Sequence, residues 1–596
     1  MKANKILIAA LALSAFAACS KSATEPDATE GGNASYLNVQ IAYTDPSLTK
    51  AAGDDTNPFY YGTANEQKVV SATFFFYNGD GTYNTKVTRT IYEESHQNNW
   101  EQGAENVEWV GKGVVLLTNV TNKPKYMGVV LNADDVLVAA LTGKSSTDAE
   151  AVLTEKIATQ EGSTWTNFVM SSSSYKNGNL KGYYLNTLKD SDFKTTEAEA
   201  LAASAPVEVY VERLAAKVAI KLTNTAAGKA NQYLLGSYVV DGTAKKLYAQ
   251  IDNWGLNATA GETYSYKSID TTWTLSFKAS ATATTGTSSW NDATRFRSYW
   301  GKSVNYGKTS YYPDSFGNST DSRNYDAAKV ILDYVSYNDL KVAVSDAAYC
   351  RENTNDPALF TAPADLPINY NSTFTSILLK ATLVDETGAA LSAINYEGQL
   401  YTVTGYENRI LAKYKTLDAD KYIPWKKDAT TGEYTQVTAN DFDKPVDLHD
   451  GYTGLVFKDN NYYQKTGAST FSTSLTAEEA TKMLNYGDKD SAETGYDNTL
   501  ALYYVSGQMY YTIPIEHLNN TAKYNNIDGT KCSEGDYGVV RNHYYNVTVN
   551  SIKNLGAAVY DPDEKIIPND KVNQKYFLSA KVNILSWKLV NQTVDL

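Results

Sequence analysis

The chain has 596 residues, a formal net charge of −14 and no long block of charges of one sign. This balance argues against nucleic acid as a partner, and the length is enough for two large domains or several small ones. Tyrosine is unusually frequent at 47 residues, and Thr, Ser, Asn and Gly are also abundant. Such a composition suits exposed β-sheet and its loops, so we expect a mainly β protein.

The first 19 residues have the pattern of an export signal. Lys2 and Lys5 form a basic region, residues 6–18 form an apolar stretch too short to span a bilayer, and the run that ends at Cys19 resembles a bacterial lipobox. The pattern predicts export with lipid attached to Cys19. The alternative is an ordinary signal peptide that happens to end near a cysteine. No other segment has the ~18 apolar residues of a membrane helix, so we expect the rest of the chain outside the cytoplasm.

A short strand is predicted a little further along the chain. Its apolar residues alternate with polar ones, at the period of a half-buried strand: Leu37, Val39 and Ile41. Lys50 follows among small, flexible residues, which predicts proteolytic cleavage between Lys50 and Ala51, although any exposed lysine would look similar. Residues 20–50 are therefore interpreted as a polar tether and a propeptide with a removable strand.

The other end of the chain, residues 577–596, has apolar residues whose alternation changes phase after Ile584. One flat strand cannot bury both halves, so the change requires a bulge, a bend or a strand that leaves one sheet and enters another. The predicted donor-strand residues on the two sides of this change are Val582, Ile584, Leu585, Trp587 and Leu589. A removable strand at one end and a spare strand at the other are the parts needed for polymerisation by strand exchange.

Between its ends the chain has strand and turn patterns with few helices. Residues 69–77 run into Asn78-Gly79, a strong hairpin signal. Residues 207–222 are the longest predicted strand, long enough to be the seam between two sandwiches. Helices are predicted at residues 147–160 and 476–484, and the second has a capping box and a glycine just past its end.

The predicted domain division follows from these patterns. We expect an N-terminal β-sandwich domain over residues 51–222 and a C-terminal β-sandwich domain over residues 223–596, which ends in the donor strand. Residues 223–342 have sparse apolar periodicity and are interpreted as loops and edge strands. Cys350 and Cys532 either pair or stay unpaired, and the sequence does not decide between the two.

Several short motifs, scattered from end to end, match one known family in their order. They are the lipobox at Cys19, Thr49-Lys50-Ala51-Ala52-Gly53-Asp54 with Asn57-Pro58, residues 126–132 (YMGVVLN), Val211-Glu212-Arg213 with Ala216-Lys217, Val539-Val540-Arg541-Asn542 with Tyr545, residues 551–556 (SIKNLG), and residues 582–588 (VNILSWK) with Val594-Asp595-Leu596. In this order they resemble the fimbrillins, the structural subunits of Bacteroidales type V fimbriae, and in particular the minor-fimbrium branch.

The resemblance implies two transthyretin-like β-sandwich domains and export as a lipoprotein. It further implies a trypsin-like protease that removes the N-terminal strand, and a C-terminal strand of another subunit that fills the resulting groove. The implied partners are other copies of the chain, related tip and anchor subunits, the maturation protease, and host or bacterial surface receptors. The implied place is a fimbrium on the cell surface, with the precursor lipid-anchored in the outer membrane and the chain acting as a stalk subunit.

Enzymatic and metal-binding patterns are weak. The four histidines lack the spacing of a metal site, and the sequence has neither a hydrolase nucleophile elbow nor a glycine-rich phosphate loop after a strand. Asp488, Asp490, Glu493 and Asp497 loosely resemble a calcium loop, but they lack the full ligand pattern and a solvated loop is favoured. We therefore expect no enzyme, no catalytic residue, no metal and no cofactor.

The alternative function is that of a monomeric surface glycan-binding lipoprotein. Exposed aromatic residues stack well on sugars, and the candidates are Trp254, Trp273, Trp290 and Trp300. A monomeric binder has no use for a removable strand and a terminal donor strand, and this feature discriminates between the two hypotheses.

Overall fold

The computed structural model describes residues 35–42, 59–60, 62–90, 100–102, 109–118, 122–172, 184–203, 206–268, 301–307, 332–355, 373–443, 445–449, 452–493, 498–517, 537–566 and 587–595. These residues form a mainly β protein with two β-sandwich cores. The expected fold class, mainly β with two sandwiches and a few helices, is confirmed.

The strands are numbered in chain order. Those of the first half are β1 Ser35–Ala42, β2 Phe59–Tyr60, β3 Ser71–Tyr77, β4 Tyr83–Thr90, β5 Trp100–Gln102, β6 Trp109–Leu117, β7 Tyr126–Leu131, β8 Leu153–Thr154, β9 Thr159–Glu161, β10 Thr164–Thr166, β11 Met170–Ser172, β12 Asn186–Thr187, β13 Phe193–Lys194, β14 Val207–Arg213, β15 Ala215–Leu222, β16 Gln232–Val240 and β17 Thr243–Asn257. Those of the second half are β18 Thr259–Ala260, β19 Thr263–Tyr264, β20 Leu332–Asp333, β21 Ala347–Arg351, β22 Ser376–Asp385, β23 Ala393–Tyr396, β24 Gln399–Tyr401, β25 Trp425–Lys427, β26 Tyr434–Gln436, β27 Val446–His449, β28 Tyr452–Gly454, β29 Tyr462–Tyr463, β30 Ala501–Tyr504, β31 Gln508–Pro514, β32 His543–Ser551, β33 Ala557–Ala558 and β34 Trp587–Asp595.

The helices in the described part of the chain are mostly short. They are α1 Ala64–Gln67, α2 Asp135–Leu141, α3 Ser146–Glu150, α4 Glu197–Leu201, α5 Val403–Tyr422 and α6 Ala477–Tyr486. Short 3₁₀ turns occupy Asp190–Asp192, Tyr337–Asp339, Ala439–Asp441 and Val505–Gly507.

The first sandwich is built from one sheet whose two halves face a common core. The strand order is β4-β3-β7-β11-β14-β1-β6-β5, with β12 beside β7 and β13 beside β1. Phe75, Phe76 and Val129 from one half and Leu37 and Val209 from the other are fully buried in that core. The predicted hairpin at Asn78-Gly79 is present, since β3 and β4 pair in antiparallel register on its two sides.

The second sandwich consists of two sheets. The first has the order β2-β34-β32-β15-β21, and the second has the order β27-β28-β30-β23-β24-β16-β17-β22-β31-β33. Val218, Tyr545 and Val547 from the first sheet and Ile251 and Leu379 from the second are buried together. Alternation of such apolar residues with polar ones along each strand lets one face pack inward.

A third cluster of buried residues is formed largely by the segment between β24 and β30, from which β27 and β28 also pair into the large sheet. Helices α5 and α6 and the small sheet β26-β25-β29 enclose this cluster. Helix α6 begins with the predicted capping box of Thr476 and Glu479 and ends at Gly487, whose φ is +69°. The sequence therefore predicts this helix correctly.

Three other sequence predictions differ from the structure. Residues 207–222 are two strands separated by Leu214, with β14 in the first sandwich and β15 in the second. The helix predicted at residues 147–160 is present only as α3, and β8 and β9 follow it. The sequence predicts loops and edge strands over residues 223–342, but β16 and the 15-residue β17 form a long hairpin in the interior of the large sheet there.

The two cores divide close to Leu214. Buried residues of the first core run through Ala215, and those of the second core begin at Ala216. One segment crosses this division. Tyr266 follows β16 and β17 of the second sandwich in the chain, but it is buried in the first core. The boundary after residue 222 stays a prediction.

Candidate assembly strands and the domain junction

The strand that contains Leu37, Val39 and Ile41 occupies the interior of the first sheet. This strand, β1, pairs in antiparallel register with β6 along all eight of its residues. On its other side it pairs in parallel with β14 from Val39 onward and in antiparallel register with β13 before that. Leu37 is 0% and Val39 2% exposed. Taking β1 away would open a groove between two strands and expose the core beneath it.

The residues that bracket β1 in the predicted maturation lie elsewhere. Cys19, Lys50 and Ala51 are outside the described residues. Strand β2, which begins eight residues after Ala51, is described, and it pairs with the C-terminal strand rather than with the first sheet.

The C-terminal strand β34 contains Trp587 and Leu589, whereas Val582, Ile584 and Leu585 lie outside the described residues. It runs parallel to β32, from the pair of His543 with Lys588 to the pair of Ser551 with Asp595, with one irregularity. On its other side, within the part of the chain that the structure describes, Phe59 and Tyr60 of β2 pair with it. The described pairs thus give the strand one full-length neighbour and one neighbour of two residues.

A network of buried charged groups lies where the two sandwiches meet. The Glu66 carboxylate of α1 accepts from the Lys217 ammonium at 2.6 Å and from the Tyr349 hydroxyl, and the Arg213 guanidinium Nε donates to the Glu66 carbonyl at 3.0 Å. Burial raises the pKa of Glu66, but the charge of Lys217 and the hydrogen bonds from Lys217 and Tyr349 outweigh it, so the pKa is lowered overall. Glu66 is therefore ionised and holds α1 against β15 and β21.

Two further buried ion pairs lie near the same junction. The Arg541 guanidinium contacts Glu352 at 3.3 Å, and it also donates to the hydroxyl of Thr263 at 3.0 Å and to the carbonyl of Tyr264 at 2.7 Å. The Lys267 ammonium lies 3.3 Å from the Glu212 carboxylate. Paired, hydrogen-bonded charges of this kind fix the geometry of a junction, and loss of one partner leaves an uncompensated buried charge.

Sequence reasoning missed most of this junction. Glu66 lies in a short polar segment that resembles a solvated turn, and its partners are more than one hundred residues away. The available signal was the pair Glu212-Arg213 inside an otherwise apolar strand pattern, because charged residues are rarely buried unless they are paired.

The candidates for metal binding and glycan binding do not form a site in the described residues. No group of three or more His, Cys, Asp or Glu side chains there could hold a metal ion. Trp254, proposed to stack on sugars, is fully buried and its indole N–H donates to the Ala343 carbonyl at 3.0 Å, so that proposal is wrong for this residue. The other three candidate tryptophans lie outside the described residues, as does Asp497 of the calcium candidate.

Two other observations concern Cys350 and the membrane. Cys350 is buried, and burial raises the pKa of its thiol to about 12, whereas Cys532 lies outside the described residues.

Among the helices that the structure describes, none has the length and apolar character needed to cross a membrane.

Comparison with known proteins gives a family match at the C-terminal end. Residues 502–593 match the model "Major fimbrial subunit protein type IV, Fimbrillin, C-terminal". This stretch includes β31, β32 and most of β34. None of the curated proteins matches the sequence.

Three solved structures illustrate the structural comparison. A fimbrilin from Porphyromonas gingivalis is 13% identical, with 94% of this chain and 97% of that chain covered and a TM-score of 0.33. A fimbrial assembly protein from Parabacteroides distasonis is 12% identical, with 60% and 83% covered and a TM-score of 0.26. The tip fimbrial protein Mfa3 from Porphyromonas gingivalis, with a C-terminal truncation, is 11% identical, with 61% and 83% covered and a TM-score of 0.26. The family match therefore places a region similar to the C-terminal part of fimbrillins at residues 502–593 of this chain.

Proposed function

We propose that this chain is a fimbrial subunit of the stalk, which polymerises by donor-strand exchange on the cell surface and supports adhesion. It is exported as a lipoprotein anchored at Cys19 in the outer membrane, and a trypsin-like protease cleaves it between Lys50 and Ala51. Cleavage detaches β1, and the C-terminal strand of another copy fills the groove. Related tip and anchor subunits complete the fibre, whose receptors are on host or bacterial surfaces.

The interior position of β1 is the observation that supports this proposal best. A strand flanked on both sides cannot leave without exposing two sheet edges and the core around Leu37 and Val39. An open edge of that kind pairs readily with another chain. The uncut strand keeps the groove filled, and its removal leaves a site of the right shape for an extended segment.

The pairing of β34 in its own sheet explains why the strand would move to the groove of another copy. In its own chain, counting the described residues, β34 has β32 on one side and two paired residues of β2 on the other. In the groove a strand has β6 along eight residues and, on the opposite side, β14 and β13. Parallel pairing with β32 is also slightly less stable per residue than antiparallel pairing. Relative to the pairs that the structure describes, a strand that moves from its place between β2 and β32 to the groove therefore gains backbone hydrogen bonds.

The test is N-terminal sequencing of fimbriae sheared from cells, together with a Lys50→Ala variant. The mature protein is expected to begin at Ala51, and Lys50→Ala is expected to leave a lipid-anchored monomer. Lys144→Ala is the matched control, because Lys144 is an exposed lysine remote in sequence from β1, and it should polymerise normally. Normal fibres from the Lys50→Ala variant would contradict the mechanism.

A further inference from the structure

Strand β6 has an unusual feature along the side that faces β1. Val39 lies opposite Gly113 and Ile41 lies opposite Gly111, whereas Leu37 lies opposite Val115. Val115 and Leu117 are buried in the first core, so alternation places Gly113 on the same, inward face of β6. The groove that β1 occupies therefore has two positions where the neighbouring strand contributes no side chain.

Glycine inside a strand needs a reason, because it weakens the strand and has no side chain to pack. A frequent reason is close approach of another group, and a large side chain on the neighbouring strand often covers such a glycine. In the uncut chain the residue opposite Gly113 is Val39, which is smaller than Leu37 and Ile41, the residues two positions away on either side. A larger side chain at this position of an incoming strand would cover Gly113 more completely than Val39 does.

We infer that Trp587 of a second copy occupies the place of Val39, opposite Gly113, when the C-terminal strand enters the groove. This inference rests on the proposed donor-strand exchange and adds its register. In the sequence, Leu585, Trp587 and Leu589 alternate at the same spacing as Leu37, Val39 and Ile41, so the central residue of one set takes the place of the central residue of the other. Trp587 is the one aromatic residue of β34.

The assignment holds for either direction of the incoming strand. Val39 is the middle of the three apolar positions of β1, so reversal exchanges the flanking positions and leaves the central one unchanged. Leu589, two residues from Trp587, then lies beside either Gly111 or Val115. The glycine pair makes Gly113 a specificity-determining residue, because a side chain there would fill the space intended for the indole.

The first experiment needs no altered protein. Synthetic peptides of residues 577–596 are added while the protease-cleaved wild-type subunit polymerises, and chain growth is followed by light scattering. The wild-type peptide is expected to stop growth, and a Trp587→Val peptide is expected to need about tenfold more, because it buries less apolar surface. A Lys588→Ala peptide is the control and should act like wild type. Equal potency of the wild-type and Trp587→Val peptides would overturn the register.

The second experiment alters the groove. Gly113→Val is expected to slow chain growth of the cleaved subunit about tenfold, because overpacking is unfavourable, and adding Trp587→Val should restore much of the rate. Lys112→Val, one position earlier in β6, is the matched control. Melting of each uncut subunit is measured first, and a Gly113→Val variant that does not fold leaves the peptide experiment to decide.

The outcomes separate the register from the mechanism. If the wild-type peptide does not inhibit growth at all, the donor-strand proposal itself fails. If it inhibits growth but a well-folded Gly113→Val subunit grows at the wild-type rate, only the placement of Trp587 opposite Gly113 is wrong. If Trp587→Val worsens the Gly113→Val subunit further, the two residues do not share one space, and the register is again wrong.

Discussion

Lys217 and Glu66 form an ion pair with 6% and 1% of their side chains exposed. The Lys217 ammonium also lies over the ring of Tyr544 at 4.8 Å. A buried pair contributes little net stability relative to an apolar pair, because both charges lose their hydration. Replacing only one of the two residues is strongly destabilising, because the other charge is left buried and unpaired. The difference between single and double replacement therefore tests the junction.

Lys217→Met should lower the free energy of unfolding by about 3–5 kcal/mol, because the Glu66 carboxylate is left buried without its cation. The double variant Lys217→Met/Glu66→Gln should recover most of that loss. The control is Lys125→Met, which breaks an exposed pair with Asp190 of the same length, 2.6 Å, and should cost under ~1 kcal/mol. Denaturant unfolding followed by fluorescence measures all of them. A similar cost for the Lys217 and Lys125 variants would contradict the buried network.

Glu407 in α5 gives a prediction of pH dependence. Burial raises the pKa of its carboxyl to about 7, against a smaller opposing effect of Lys458. The folded chain then holds a proton that the unfolded chain releases near the ordinary glutamate pKa of 4.5, so this group favours folding below that pH and loses its contribution as the pH rises through about 7. Glu407→Gln should therefore raise the melting temperature at about pH 8 and change it little at about pH 4, since these two pH values lie on either side of the range in which the carboxyl titrates.

The control for that experiment is Glu433→Gln, at an exposed position of the turn before β26. Its difference in melting temperature from wild type should be the same at both pH values. A Glu407→Gln variant whose effect is equally independent of pH would show that the carboxyl is not held in its neutral form.

Among the elements, the sequence predicts those with local signals and fails where distant contacts decide. Helix α6 has a capping box and a terminal glycine, and both are in place. Helix α5 was missed because its sequence contains Gly405 and several β-branched and aromatic residues, and its regularity breaks at Asp418. Residues 207–222 look like one strand, since alternation alone does not reveal that the chain passes from one sandwich to the other at Leu214.

The same distinction applies to the candidate site. Alternation predicts a strand at Leu37 and Val39, and the structure has β1 there. Its interior position could not be predicted, because that depends on pairing with β6 and β14, which lie more than sixty residues further along the chain. The positions of Gly111 and Gly113 opposite Ile41 and Val39 follow only from that pairing, so the sequence alone does not single out these glycines.

Strand β34 gives a prediction at the scale of an element. Deletion of residues 587–596 should destabilise the second sandwich by several kcal/mol, because the hydrogen bonds along β32 contribute ~1 kcal/mol each. The first sandwich should keep its stability. Deletion of Leu596 alone, which lies beyond β34, is the control.

Thermal melting followed by circular dichroism measures the two deletions. An unchanged melting curve for the long deletion would mean that β34 contributes nothing to its own sheet before exchange. Complete loss of β signal would mean that the strand is indispensable to the fold and could not be donated.

At the scale of the whole molecule, the two sandwiches are joined by segments that cross the division near Leu214. Strand β19 pairs with β8 of the first half, and β2 pairs with β34 at the other end of the chain. Arg541 binds Thr263 and Tyr264 of β19, which connects β32 to the same crossing. These contacts join the two sandwiches at several points, and the proposed stalk role requires such a connection.

Tyr266, just after β19, allows the contact between this crossing segment and the first sandwich to be tested. It is fully buried in the first core, and its ring stacks on that of Tyr184 with centroids 3.7 Å apart. Tyr266→Ala should cost about 3–5 kcal/mol, as for other large aromatic truncations. Although residue 266 follows the strands of the second sandwich, the loss of hydrogen-exchange protection should appear in β7 and β11 of the first.

Tyr337→Ala is the matched control, because Tyr337 is a tyrosine of similar burial whose hydroxyl donates to the Ala381 carbonyl in β22. It should loosen β17 and β22 of the second sandwich and leave β7 protected. Hydrogen exchange read by mass spectrometry resolves these strands separately. If Tyr266→Ala instead loosens β22 as much as β7, the two sandwiches unfold as one cooperative unit, and the crossing segment does not belong to the first core alone.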